Sequence, residues 1–153
     1  MKSGTFTQLF IHLVFGPQLH CLLSKREERL EVFKFMSGTL NSMGHKSLAV
    51  NGMPDHVHVL FSLKPDVSVS ETVKEVKRSS TRFIKRNKII KDYSWQAGFG
   101  AFSYSRSQID KVIKYMMNQE VHHGSRSFKS EYIELLDRFN VGYNSNYLFQ
   151  FKD

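Results

Sequence analysis

The sequence has very little cysteine and proline, with one Cys and three Pro among its 153 residues. The lone thiol, Cys21, excludes an internal disulfide and therefore the small disulfide-stapled folds of secreted proteins. No apolar run approaches the length of a membrane span, and the N-terminus lacks the hydrophobic region of a signal peptide. We therefore expect a single cytoplasmic domain over residues 1–153, without a membrane partner.

Acidic side chains are also scarce. There are 14 Asp and Glu against 22 Lys and Arg, which gives a formal charge of +8 and a pI of about 9.6. Such an excess is typical of proteins that bind a polyanion, most simply a nucleic acid, although a merely basic protein has the same charge. The hydrophobic fraction of 41%, with 13 Phe, is sufficient for one core.

The spacing of hydrophobic residues predicts alternating strands and helices. The predicted strands cover 5–15, 45–50, 56–63 and 100–105, and the predicted helices cover 25–43, 71–88, 108–123 and 128–139. A tight turn at Asn51-Gly52 would join the second and third strands. The order βαββαβ predicts an α+β, ferredoxin-like antiparallel sheet with two helices on one face. A tyrosine-bearing helix within 107–123 and a C-terminal extension at 127–153, with a short helix of its own, would follow.

The third predicted strand contains two histidines separated by one residue, His56 and His58. Side chains alternate along a strand, so both imidazoles point to one side, while Val57, Val59 and Phe61 point to the other, into a core. Packing gives no reason for two imidazoles on one face, whereas a divalent metal ion does. If the apolar side faces the two helices, the histidines lie on an open face of the sheet that can admit a large substrate.

A catalytic two-histidine site needs at least one more ligand. The candidates are His12, Asp55, Gln119, His122 and His123, although His12 is better explained as a hydrogen-bonded histidine of the first strand. With Gln119 the ligand set would be uncharged and would bind an ion weakly until a phosphate arrives, whereas a third histidine would favour zinc or nickel. Tyr115, one helical turn before Gln119, is a candidate nucleophile, although packing is the simpler interpretation of its position alone.

Five basic side chains lie along one side of the predicted helix at 71–88. They are Lys74, Lys77, Arg78, Arg82 and Lys85. This stripe has few acidic neighbours, so it is a candidate surface for DNA phosphates, with an ordinary solvated helix face as the alternative. The aromatic stretch that follows this helix could stack unpaired bases, but we assign Trp95 to the core.

Three stretches together resemble a known group of proteins. They are Asp55–His58, Trp95–Ser103, and Tyr115–Glu120 with the following His122 and His123. The pattern resembles the HUH superfamily of single-strand nucleases, specifically the single-tyrosine transposases of small insertion sequences and their relatives, the REP-associated tyrosine transposases. The resemblance covers nearly the whole chain, and the histidine triplet combined with a Tyr–Gln helix is far more specific than the triplet alone.

The resemblance implies that His56, His58 and Gln119 bind Mg²⁺ or Mn²⁺ and that Tyr115 is the catalytic nucleophile. Tyr115 would cleave single-stranded DNA at the ends of an insertion sequence. The products would be a 5′-phosphotyrosine and a 3′-hydroxyl that later rejoins strands without a nucleotide cofactor. The resemblance also implies a homodimer that binds DNA hairpins, with Tyr115 acting in cis or in trans.

Three other interpretations are open. A non-catalytic or domesticated relative would bind single-stranded DNA hairpins without strand transfer. A nickase that starts replication or conjugation would share the site, although this short chain has no helicase domain. A basic ferredoxin-like domain with a chance His-x-His would do neither.

Overall fold

The computed structural model describes residues 4–122 and 126–152. Four strands form one antiparallel sheet, namely β1 (Phe10–Phe15), β2 (Lys46–Met53), β3 (His56–Ser62) and β4 (Gly100–Tyr104). Their order across the sheet is β2-β3-β1-β4, so β1 is hydrogen-bonded to β3 on one side and to β4 on the other. This is the ferredoxin-like order, and the predicted α+β fold class is confirmed.

Five α-helices occur in the described part of the chain. They are α1 (Arg26–Ser42), α2 (Val69–Arg86), α3 (Ile109–Met117), α4 (Gln119–His122) and α5 (Phe128–Arg138). Two of them begin at serine caps, because Ser68 accepts a hydrogen bond from the Glu71 amide and Ser127 accepts one from the Ser130 amide. None of these helices is long and apolar enough to cross a bilayer.

Helices α1 and α2 cover one face of the sheet, as predicted. The sheet contributes Leu13, Phe15, Val57, Val59 and Phe61 to this core. The two helices contribute Val32, Phe33, Met36, Leu40, Val73, Val76 and Ile84. Burying these apolar side chains against one another removes them from water and provides the main core of the domain.

The opposite face of the sheet is also covered, so the prediction of an open histidine face is wrong. Val14 and Phe102 pack against α5, and Leu60 packs against α3. The histidines share this face with apolar side chains, which need cover as well. His56 and His58 are consequently 1% and 0% exposed.

The hairpin between β2 and β3 turns later than predicted. Asn51 and Gly52 lie within β2, paired with His58 and Val57, and the turn falls at 54–55. A Cβ on Gly52 would overlap the His56 carbonyl oxygen, so this glycine is needed for close approach of the strands. Asn51 donates through Nδ2 to the Met116 carbonyl at 2.9 Å and thereby ties β2 to the end of α3.

The tyrosine-bearing segment is two helices where the sequence predicts one. The Asn118 amide donates to the carbonyls of Lys114 and Tyr115 and ends α3, because asparagine readily leaves helical geometry. A short α4 begins at Gln119 and is tied to α1 by an ion pair between Glu120 and Arg26 at 2.8 Å. The predicted end of the helix, at His123 and Gly124, lies outside the described residues.

Candidate metal and tyrosine site

Four side chains from three elements converge beneath α5. The Nε2 atoms of His56 and His58 lie 3.3 and 3.1 Å from the Oε1 atom of Glu131. Gln119 places its Oε1 atom 2.9 Å from the His56 Nε2 atom. The structure therefore brings the two strand histidines and Gln119 together, as the sequence suggests, and adds a carboxylate.

Each imidazole is oriented through its second nitrogen. His56 donates from Nδ1 to the Asp55 carboxylate at 2.8 Å, and His58 Nδ1 lies 2.7 Å from the Nε2 atom of His12. A partner at Nδ1 leaves Nε2 as the ligand atom, the usual arrangement for a metal-binding histidine. His12 and Asp55 thus support the candidate ligands from behind and do not face the centre themselves. The His122 side chain and His123 lie outside the described residues.

The charges of the cluster are strongly coupled. Burial alone would lower the pKa of His56, but the carboxylates of Asp55 and Glu131 outweigh it and raise the pKa to about 9. Burial would raise the pKa of Glu131, yet its hydrogen bonds with His56 and His58 lower it to about 2. Burial is the largest influence on His58 and leaves its pKa lowered. Glu131 and His56 therefore form a buried ion pair, whereas burial disfavours the charged form of His58.

Tyr115 reaches the same carboxylate. Its hydroxyl donates to the Oε2 atom of Glu131, which also accepts a hydrogen bond of 3.0 Å from the Gln119 amide. The Tyr115 ring stands edge-on to His58, with 5.9 Å between ring centroids. One carboxylate thus contacts both the candidate nucleophile and the candidate ligands.

Glu131 was not among the site residues predicted from the sequence. It lies on α5 in register with Phe128, Tyr132 and Leu135, which form the buried side of that helix. Spacings of three and four residues place all four side chains on one helical face. An acidic residue on an otherwise apolar stripe, fully buried here, is the signal that could have found it.

The donor set fits a divalent metal ion. His56, His58 and Glu131 each offer a ligand atom, and these atoms lie within 4.8 Å of one another. Gln119 adds an amide oxygen next to them. Mixed imidazole and oxygen ligands suit Mn²⁺, and the oxygens suit Mg²⁺. Because Glu131 carries a negative charge, the site differs from the uncharged one expected from the sequence.

A cavity of about 370 Å³ opens beside Tyr115, between α3 and α5. Two basic side chains, Lys111 and Arg138, line it together with the rings of Tyr104 and Phe139. Among the described cavities it is the one that includes the candidate nucleophile. Neither basic residue belongs to the stripe singled out from the sequence.

The predicted basic stripe lies elsewhere, on the side of the sheet covered by α1 and α2. Its five residues line an open groove of about 810 Å³ whose far wall is the segment 93–97. Lys74, Arg78, Arg82 and Lys85 are exposed, and Arg78 also pairs with Glu75. The predicted core position of Trp95 is confirmed, since its ring packs edge-on against Phe15 and its Nε1 donates to Ser80.

Lys77 differs from the other members of the stripe. Its ammonium donates to the carbonyls of Gln96 and Gly98 at 2.9 and 2.7 Å, and it lies 5.3 Å from the centre of the Phe15 ring. Burial lowers the pKa of this ammonium to about 8. Lys77 therefore fixes the wall of the groove.

Fold and site together define a ferredoxin-like domain with a tyrosine next to a two-histidine centre. A model of the IS200-like transposase family matches residues 5–119. The chain belongs to this family, and the resemblance to single-tyrosine HUH transposases is confirmed. No curated protein matches the sequence.

Two solved structures share the fold. A crystal structure of a transposase candidate from Deinococcus radiodurans has a TM-score of 0.61 and 19% identity, and the match covers 78% of this chain and 96% of that one. A REP-associated tyrosine transposase bound to a REP hairpin has a TM-score of 0.58 and 12% identity, and the match covers 100% of this chain and 94% of that one. At these identities the likeness concerns the fold alone.

Proposed function

We propose that this transposase cleaves and rejoins single-stranded DNA through a covalent bond to Tyr115, with Mg²⁺ or Mn²⁺ as cofactor. The observation that carries the proposal is the Glu131 carboxylate, which accepts from the Tyr115 hydroxyl while facing the Nε2 atoms of His56 and His58. A nucleophile and a set of metal ligands lie within one hydrogen-bonded cluster. That combination suits transfer of a phosphodiester to a tyrosine.

The reaction requires few groups. His56, His58, Gln119 and Glu131 would hold the ion, which when bound polarises the phosphodiester and offsets the charge that develops on it. The Tyr115 oxygen attacks phosphorus, loses its proton, and displaces the 3′ oxygen, which takes up a proton. The products are a 5′-phosphotyrosine and a 3′-hydroxyl. Attack of a 3′-hydroxyl on the phosphotyrosine reverses the step and rejoins strands. The phosphotyrosine bond retains the energy of the cleaved phosphodiester, so no nucleotide cofactor is needed.

The cavity beside Tyr115 suits the entry of one unpaired nucleotide. Its volume falls in the range of ligand pockets, about 300–1,000 Å³. Lys111 and Arg138 would contact the phosphates on either side of the scissile bond, and Phe139 would stack on a base. Tyr115 would then meet the strand from the wall of the cavity.

The groove on α2 would bind a second part of the DNA. Its basic side chains suit phosphates, and we assign to it the hairpin of the element's end, in keeping with the REP hairpin bound by the similar transposase. The groove and the histidines lie on opposite faces of the sheet. The DNA between hairpin and cleavage site would therefore pass around the β4 edge.

The cluster is complete within one chain, which supports attack by Tyr115 in cis. The hydroxyl of Tyr115 contacts Glu131 of its own chain, and Glu131 contacts its own His58. A homodimer stays a prediction. If it forms, we expect each chain to use its own tyrosine.

The test is an adduct assay on single strands. Oligonucleotides tiled across the DNA that flanks the gene, labelled at either the 5′ or the 3′ end, are incubated with the protein and Mn²⁺. A 5′-phosphotyrosine retains the 3′ label in a covalent band on a denaturing gel. We expect this band with the wild-type chain and none with Tyr115→Phe, which should still bind the DNA.

Tyr147→Phe is the matched control, because Tyr147 is 86% exposed in the C-terminal segment and does not line the cavity beside Tyr115. It should give a wild-type adduct. An undiminished adduct from Tyr115→Phe would reject the proposed nucleophile. Binding of hairpin strands by the wild type with no adduct at any tiled position would instead favour the non-catalytic hairpin-binding protein.

A further inference from the structure

His12 is a buried polar side chain on the histidine face of β1 that the proposed reaction does not use. It is 0% exposed. Its Nε2 atom lies 2.7 Å from His58 Nδ1, and its Nδ1 atom lies 3.1 Å from the Tyr104 hydroxyl. Val14 is paired with His58 and Phe10 with Tyr104, so the three polar residues form a diagonal across β3, β1 and β4.

The direction of this hydrogen-bonded chain decides whether His58 can bind a metal ion. A neutral imidazole has one N–H and one lone pair, so the chain can run either way. If Nε2 of His58 is a ligand, its proton lies on Nδ1 and His12 must accept it at Nε2. His12 then donates from Nδ1 to the Tyr104 oxygen. In the reverse direction a proton occupies the ligand position of His58.

In the metal-free protein the Glu131 carboxylate accepts from His58 Nε2 at 3.1 Å, so a neutral His58 has its proton there, and binding of an ion at Nε2 requires the first direction. His12 Nε2 lies 2.7 Å from His58 Nδ1, where the lone pair of a neutral imidazole can accept the proton that His58 then holds on Nδ1. The Tyr104 hydroxyl can accept as readily as donate, so the end of the chain permits this direction. His56 needs no such arrangement, because the Asp55 carboxylate can only accept.

We propose that His12, backed by Tyr104, is a positioning residue that holds His58 in the tautomer able to bind the metal ion. The proposal rests on the metal site proposed above and does not depend on the DNA reaction. Outer partners of ligating histidines commonly contribute roughly 10- to 100-fold to metal affinity. The same range is expected here.

The first experiment titrates the DNA-free, full-length protein with Mn²⁺ and follows the free ion by EPR. His12→Phe fills the space but removes both nitrogens, and it should weaken Mn²⁺ binding roughly 10- to 100-fold. His12→Gln should recover most of this loss, because its amide oxygen can reach the Nε2 position and accept from His58. A merely structural role would show no such rescue.

His45→Phe is the matched control. His45, just before β2, is also a buried histidine, with Nε2 2.9 Å from the Thr72 hydroxyl and Nδ1 accepting from the Lys64 amide. It contacts the Phe61 side of the sheet, so its loss should lower stability and leave Mn²⁺ affinity unchanged. Tyr104→Phe removes a single hydroxyl and tests the hydrogen-bonded series from His58 through His12 to Tyr104, even if His12→Phe does not fold. It should weaken Mn²⁺ binding in the same direction, by less.

The second experiment observes the tautomer itself. Long-range ¹H–¹⁵N spectra of the Mg²⁺-loaded wild type should show His58 protonated at Nδ1, and Tyr104→Phe should show a mixture. The proposal is overturned if His12→Phe and Tyr104→Phe both bind Mn²⁺ like the wild type, or if His58 of the Mg²⁺-loaded protein carries its proton on Nε2. A wild type that binds Mn²⁺ but forms no DNA adduct would reject the proposed reaction and leave these results standing.

Discussion

Alternate side chains of β3 enter two different environments. On one side, Val59 and Phe61 pack among the hydrocarbon side chains of α1 and α2 and are 0% exposed. On the other side, His56 and His58 are equally buried, but their ring nitrogens face Asp55, His12, Gln119 and Glu131. The two faces therefore differ in chemistry and not in depth.

The two sides of β3 therefore have different roles: the apolar side stabilises the fold, and the polar side provides the chemical groups of the site. Burial of apolar surface contributes about 25 cal/mol per Å², so the α1/α2 side provides most of the folding free energy. Burial of a charged pair contributes little, and well-packed apolar residues in its place are often at least as stabilising. The polar side is therefore best explained by what it binds. Variants of each face can test this division.

The largest effect is expected from Phe61→Ala on the apolar side. Loss of a fully buried Phe typically costs about 3–5 kcal/mol of unfolding free energy, because a cavity remains. Urea denaturation followed by circular dichroism measures it. Phe6→Ala, at a position 90% exposed, is the control and should change little. A loss of less than about 1 kcal/mol for Phe61→Ala would contradict the assignment of stability to this face.

His58→Leu, three residues earlier and on the polar side, should affect Mn²⁺ affinity more than stability. Glu131 keeps His56 as a partner in this variant, but the buried Nε2 atom of His12 loses its partner, so stability should fall by about 1–3 kcal/mol, less than for Phe61→Ala. Mn²⁺ affinity should fall by more than the roughly 100-fold upper range of outer-partner changes. Urea denaturation and EPR titration of the same sample measure both. A large loss of stability with Mn²⁺ affinity intact would reverse the roles of the two faces.

Local sequence signals were sufficient for most of the fold. Alternation along β3 correctly separated Val57 and Val59 from the histidines, since side-chain direction in a strand depends only on position. Apolar periodicity located α1 and α2 to within two residues at each end. These features depend on neighbours in the chain, which the sequence displays directly.

The errors concern contacts between distant segments. Asn51-Gly52 has the composition of a turn, but Gly52 is required inside β2 because the His56 backbone approaches it. The histidine face was expected to be open because nothing local shows that α5 returns to cover it. Glu131 follows His58 by 73 residues, and only tertiary structure places its carboxylate at the imidazoles. Tyr115 and Gln119 were singled out in the sequence by their one-turn spacing together with the family resemblance.

A sharper test of the polar face is Glu131→Gln, which preserves shape and removes charge. We expect Mn²⁺ affinity of the DNA-free protein to fall about tenfold, equivalent to about 1.4 kcal/mol, since an anionic ligand is lost. Isothermal titration measures this. Glu134→Gln, one turn later on α5 and exposed, is the matched control and should bind Mn²⁺ like the wild type. If Glu131→Gln is also unaffected, the ion is held by His56, His58 and Gln119 alone, as the sequence suggested.

The smallest effects are expected at the basic groove on α2. This groove lies on the α1/α2 side of the sheet, the side whose buried residues provide the main core. Lys74→Ala should weaken binding of a hairpin-bearing single strand a few-fold and reduce the salt slope by about one unit or less, because one phosphate contact is lost. Fluorescence anisotropy over a series of salt concentrations measures both. Lys34→Ala, an exposed lysine on α1 outside the groove, is the control. Lys77→Ala should mainly lower stability, because its ammonium holds the carbonyls of segment 96–98. An equal loss of DNA affinity for Lys34→Ala and Lys74→Ala would show that binding follows overall charge and not the groove.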